Sequence, residues 1–110
     1  MASVTRAPAR PFEHHVLDFL AYLELERGLS RNTLEAYRSD LLQYGTYLDR
    51  RGLNALAVTH GDVAGFLDEL AQGTGERSPA APATLQRKTA CLRSFYRHLR
   101  REELLDGDPT

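Results

Sequence analysis

Residues 29–41 read Leu29-Ser30-Arg31-Asn32-Thr33-Leu34-Glu35-Ala36-Tyr37-Arg38-Ser39-Asp40-Leu41, and this run decides the fold. Ser30 is a helix-capping residue type, because its hydroxyl accepts from a backbone N–H of the first turn. Asn32 and Thr33 stand in that turn. Leu34, Tyr37, Leu41, Tyr44 and Leu48 then step by three and four, the spacing that lines one face of an α-helix. Gly52 follows Arg51 and stops the helix, since glycine accepts the left-handed backbone of a C-terminal cap at no steric cost. An apolar stripe of this kind needs other helices to cover it.

The flanking sequence supplies them. Pro11 suits the first turn of a preceding helix. Phe12, Val16, Phe19, Leu20 and Leu23 recur at helical spacing through Arg27, and Gly28 ends that helix. Downstream, Thr59 and Asp62 form a T-x-x-D start signal for a third helix, which buries Val63, Phe66, Leu67 and Leu70 and stops at Gly73. The fourth starts near Ala83 or Thr84, after Pro79 and Pro82, with Leu85, Leu92, Phe95, Tyr96 and Leu99 as its stripe. Arg101–Leu105 either continues it or makes a short fifth helix. Residues 1–10 have no periodicity and read as a disordered tail, and Gly73–Ala83 reads as a loop or hinge. No sustained period-2 alternation occurs. The expectation is an all-α fold, a small four-helix bundle over 11–106.

Composition removes several function classes. The single cysteine, Cys91, excludes an internal disulfide and a cysteine-based zinc site. It reads as a core or core-edge residue. No apolar run approaches a membrane span, and no apolar segment follows Arg6 and Arg10, so neither a membrane nor a signal peptide is expected. The expected compartment is the cytoplasm. There is no internal repeat of 20–50 residues.

The net charge of −1 argues at first against a nucleic-acid role, but the charge is segregated. Residues 12–27 carry four acids against one Arg, and residues 59–72 three acids and no base. Residues 83–101 carry Arg87, Lys88, Arg93, Arg97, Arg100 and Arg101 with no acid, a charge of +6. At about 100° per residue, with Arg87 at 0°, the apolar stripe falls between about 80° and 180°. Gln86 and the arginines fall between about 220° and 360°. Lys88 alone breaks the pattern, near about 100°, and is expected to reach outward past the core. Like charges at i, i+3 and i+4 cost helix stability, and a merely solvated face mixes signs. Such a face suits phosphates. The start of the second helix suits them too, through its open N–H groups and positive dipole end. Asparagine and arginine side chains there can also read base edges.

Phe19-Leu20, Tyr22-Leu23 and the Leu29–Leu41 run together resemble the "FL-x-x-L-x-x-E-x-G-L-S-x-N-T-x-x-x-Y-x-x-D-L" pattern of a known family. This is the N-terminal core-binding, SAM-like domain of tyrosine recombinases (phage integrase family, Xer type). A second block, Ala90-Cys91-Leu92-Arg93-Ser94-Phe95-Tyr96-Arg97-His98-Leu99, and the ending Asp106-Gly107-Asp108-Pro109 match as well. The resemblance covers residues 12–110. It implies double-stranded DNA as partner, with the second and fourth helices crossing in the major groove. The contacts it implies are Ser30, Arg31, Asn32, Thr33 and Arg38, then Thr84, Gln86, Arg87, Lys88 and Arg93. Arg97, Arg100 and Arg101 lie further along and either touch phosphate or touch nothing.

It also implies that residues 107–110 begin a linker to a catalytic domain outside this chain. No catalytic residue, metal or cofactor is therefore expected in these 110 residues. The full-length protein would assemble as a tetramer of recombinase subunits, and the isolated domain as a monomer. His98-Leu99-Arg100-Arg101 spells the family's H-x-x-R catalytic box, but inside the core-binding block it reads as coincidence. His14 and His15 are adjacent on a helix, cannot converge on a metal, and read as surface residues. Asp40 reads as a structural partner of an arginine such as Arg93 or Arg38. A helical protein-interaction domain, docking an acidic partner through its basic helix, is the competing reading.

Overall fold

The computed structural model describes residues 11–75 and 77–110. The expected tail, residues 1–10, lies outside them. Four α-helices follow in order: α1 (Pro11–Glu26), α2 (Arg31–Arg51), α3 (His60–Gln72) and α4 (Pro82–Arg101). A 3-10 turn, Ala55–Ala57, lies between α2 and α3. The only bridge of β type among the described residues is the isolated pair Thr74–Arg77 in the α3–α4 connection.

The predicted boundaries hold closely, for local reasons. The hydroxyl of Ser30 accepts from the amide of Thr33 at 3.2 Å and caps α2. Thr59 and Asp62 exchange both bonds of a capping box at the start of α3. Gly52 closes α2 at φ 66°, in the left-handed region. α4 begins at Pro82, slightly earlier than the sequence indicated, with proline in the first turn and no side-chain cap. In the α3–α4 connection Thr74 and Arg77 exchange backbone bonds, and the Ala80 amide donates to Leu70 O at 2.9 Å. No fifth helix forms, because Glu103 takes φ 62° directly after α4 and turns the chain. The end of the chain folds back instead, where Pro109 O lies 3.0 Å from the His60 ring and Arg100 lies 3.8 Å from Asp108.

The core is one cluster fed by all four helices, and aromatic rings dominate it. Phe95 is fully buried, with the rings of Phe12, Phe19 and Tyr96 edge-on at 5.9, 5.5 and 5.4 Å. Edge-to-face packing satisfies the ring quadrupoles. Tyr44 and Tyr96 bring hydroxyls into this core. Tyr96 donates to Ala55 O at 2.8 Å, and a phenol has one proton to give. Tyr44 is therefore the donor in the 2.8 Å bond between the two hydroxyls. That relay ties α2 and α4 to the 3-10 turn and satisfies every polar atom it buries. Gly45 gives the Phe12 ring of α1 its place against α2: a Cβ there would stand 2.7 Å from that ring and would force it to move.

The buried arc of α4 is wider than the apolar stripe indicated. Cys91 is fully buried and His98 is 6% exposed, although both fall outside the predicted arc. Burial pushes the Cys91 thiol up to about 12, which leaves it a small, unreactive core residue.

Candidate nucleic-acid interface

α2 and α4 cross where Tyr37 and Asp40 meet Arg87, Lys88 and Cys91. Asp40 is buried, and two cations converge on it. Arg87 donates from Nε to Oδ2 at 3.0 Å and from Nη2 to Oδ1 at 2.7 Å, a bidentate fork. Lys88 donates from Nζ to Oδ1 at 2.7 Å. One turn along α4, the Cys91 thiol points at Tyr37 O at 3.8 Å. Asp40 is thus structural, as expected, but its partners are Arg87 and Lys88 rather than Arg93 or Arg38. Both of those point away into solvent. Lys88 does not reach outward either. It turns in toward Asp40 with its side chain 12% exposed, because a buried carboxylate beside it outweighs the gain of solvating the ammonium.

Two other segments flank this crossing. At the start of α2, the Ser30 hydroxyl also donates to Thr33 Oγ1 at 3.0 Å. Ser30 and Thr33 therefore spend hydrogen bonds on each other, while the Arg31 and Asn32 side chains are exposed. The first N–H groups of a helix have no carbonyl within it; Ser30 takes that of Thr33, and those of Arg31 and Asn32 stay open. At the start of α4, Ala81 provides no side-chain bond and Pro82 has no N–H, which leaves the Ala83 and Thr84 amides uncapped by any side chain. Thr84 is half-buried, and Gln86 and Arg93 are exposed.

The cations divide into two sets. Those at the C-terminal end of α2 are engaged: Arg50 pairs with Glu69 of α3 at 2.7 Å, Arg51 lies 3.9 Å from it, and both guanidinium groups sit over the Tyr47 ring. Arg101 lies over the Tyr22 ring at 4.8 Å. Arg27, Arg31, Arg38, Arg77, Arg93 and Arg97 are exposed and form no ion pair among the described residues. Arg31 and Arg38 lie on the N-terminal half of α2 and Arg93 and Arg97 on α4, while Arg27 follows α1 and Arg77 lies in the α3–α4 connection.

The remaining histidines and acids hold no metal-like cluster among the described residues. His14 is exposed, 3.7 Å from Asp18, and His15 is half-buried. His98, the first residue of the H-x-x-R run, lies under the rings of Phe19 and Tyr22 at 5.6 and 5.3 Å, and its Nδ1 has no partner. Burial lowers its pKa below the ordinary value, with Arg101 pushing the same way and Glu102 and Asp18 opposing. In the unfolded chain the ring protonates near about 6.5. The unfolded state therefore binds more protons below that pH, and stability falls as pH falls through the window. Thermal melts at decreasing pH should show a falling midpoint, and His98→Leu should flatten the dependence. An unchanged pH slope in H98L would assign the loss to other groups.

The described residues form an all-α unit in which α2 and α4 are bridged through Asp40. The chain belongs to the phage integrase N-terminal SAM-like domain family, whose match covers residues 16–103. It is 42% identical over 100 residues to a tyrosine recombinase XerD of Pseudomonas aeruginosa, covering 89% of this chain and 32% of that protein. It is 37% identical over 98 residues to a tyrosine recombinase XerC of Oceanobacillus iheyensis, covering 88% and 30% respectively. A tyrosine recombinase XerC of Myxococcus xanthus is 37% identical over 92 residues, covering 83% and 29%. The chain spans about a third of the length of these curated relatives. No solved structure matches it significantly. Among the described residues no helix is long and apolar enough to cross a membrane.

Proposed function

We propose that this domain is the duplex-DNA-gripping part of a Xer-type tyrosine recombinase, holding the recombination site through the major groove with α2 and α4. The observation that carries the reading is the distribution of cations. Arg31, Arg38, Arg93 and Arg97 stand exposed without carboxylate partners, on two helices locked together through Asp40. Phosphate oxygens supply the missing counter-charge, and the open amides at the two helix starts add neutral donors. Asn32 and Gln86 are exposed beside them and are of the types that read adenine. Ser30, Thr33 and Thr84 contribute hydroxyls at the margin of the surface. Such a grip consists of guanidinium, hydroxyl and amide groups and needs no cofactor.

In this reading the DNA-cleaving chemistry belongs to the remainder of a longer protein. The domain alone is a weak-binding monomer that works in the cytoplasm, and four full-length subunits assemble on two sites. The test is the affinity of the domain for a short mixed-sequence duplex across a salt series. Four to six phosphate contacts predict a slope of log K against log salt of about −4 to −5. No binding at low salt, or a slope near zero, would refute the reading.

A further inference from the structure

We infer that Asp40 is a positioning residue for DNA recognition: it holds the Arg87 guanidinium by one edge so that the opposite edge is presented, fixed in orientation, to the duplex. The inference rests on the DNA-binding reading above and goes beyond it, because Asp40 itself touches no DNA.

Three observations carry it. First, the bond pattern is directional. Arg87 uses Nε and one proton of Nη2 on Asp40, which leaves both protons of Nη1 and the second proton of Nη2 for another acceptor. Guanidinium is planar, so fixing one edge fixes the other. Second, exposure is asymmetric around a single carboxylate. The Asp40 side chain is 3% exposed and Lys88 12%, whereas Arg87 is 45% exposed. The acid and the lysine are the buried foundation, and the arginine is the part that faces out. Third, the charges do not cancel. Two cations share one anion, so the cluster keeps a net positive charge at the crossing of the two helices that carry the other exposed arginines. A buried ion pair is a poor source of stability compared with apolar packing, which makes orientation the better account of why a charge sits in this seam.

Ordinary electrostatics and positioning predict opposite signs for one substitution. Asp40→Asn removes a negative charge beside a surface that binds a polyanion. If charge alone counts, binding tightens; if Asp40 positions Arg87, binding weakens, because the neutral amide no longer holds the fork. The measurement is affinity for a short mixed-sequence duplex at fixed salt, on variants whose helix content matches the parent. D40N is expected to weaken binding roughly tenfold, as R87A does, and the D40N/R87A double variant to bind no worse than R87A alone, since coupled residues are not additive. Arg87→Lys keeps the charge but cannot form the fork, and is expected to weaken binding as D40N does. That variant decides the matter should D40N fail to fold. Binding by D40N or R87K as tight as the parent's overturns the positioning role, while R87A still weakening it leaves the DNA-binding reading intact. Loss of all duplex binding by the parent would instead overturn that reading itself.

Discussion

Replacing Phe95 by alanine is expected to cost the domain about 3–5 kcal/mol of unfolding free energy. Phe95 of α4 faces α1, fully buried, with the rings of Phe12, Phe19 and Tyr96 set edge-on around it. Truncation removes its transfer free energy and leaves a cavity that large neighbouring rings cannot collapse into without leaving their rotamers. Domains of this size hold only about 5–15 kcal/mol in total, so one side chain accounts for a large share. Leu25→Ala is the control. Leu25 is 79% exposed on α1, and its truncation should stay within about 0.5 kcal/mol. Denaturant titration distinguishes the two: F95A should lower the midpoint strongly at a similar slope, and L25A should not. A cost for F95A near that of L25A would mean that the core is not organised around this ring.

The second large effect concerns binding. The triple variant R31A/R38A/R93A removes three exposed guanidinium groups that have no carboxylate partner among the described residues. Alanine is the best helix former, so α2 and α4 lose no propensity. If each arginine neutralises one phosphate, the salt slope should become shallower by about 2.7, and affinity near 0.1 M salt should fall by about two to three orders of magnitude. The comparison variant is R50A/R51A, which removes two charges from the same helix. These arginines are held by Glu69 and stacked on Tyr47, away from the start of α2. Their loss should change affinity by no more than several-fold, through the general field alone. Equal losses in the two variants would show that net charge, and not this surface, sets affinity.

Much of the fold was legible before any coordinates, and the reason is local. Ser30, Thr59 with Asp62, Gly52 and Gly73 announce helix ends through interactions that span at most a turn. Apolar stepping named every buried residue of α1 and α3. What stayed hidden depends on how helices cross. The partners of Asp40 lie 47 and 48 residues away, and no spacing rule connects them. Asp40 borders the apolar row of α2, three residues after Tyr37 and four before Tyr44, and an acid at that edge was the available sign that a cation must come from elsewhere. The inward turn of Lys88 follows from the same crossing. His98 was hidden differently. Its type suggests the surface, but its angle on α4 places it against Phe19 and Tyr22 once α1 docks. Gly45 in the middle of a helix was a further sign, since a glycine there costs helix propensity and calls for a packing reason. The reason is the Phe12 ring.

For the proposed DNA surface, the residue types and the segregated charge are legible in the sequence. The structure added which cations are already spent. Arg50, Arg51 and Lys88 are engaged within the bundle, Arg87 is engaged on one edge, and Arg31, Arg38, Arg93 and Arg97 remain outward-facing. A helix-by-helix charge count cannot make that distinction, because pairing is a property of the crossing.

The central claim, that α2 and α4 grip a duplex together, is tested most directly by titrating the isotope-labelled domain with a short mixed-sequence duplex at low salt and following backbone amides by NMR. The account predicts that amides of residues 30–38 and 84–93 shift together along one binding curve and return toward their free positions as salt is raised. Shifts confined to α1 or α3, or no shifts at all, would contradict it.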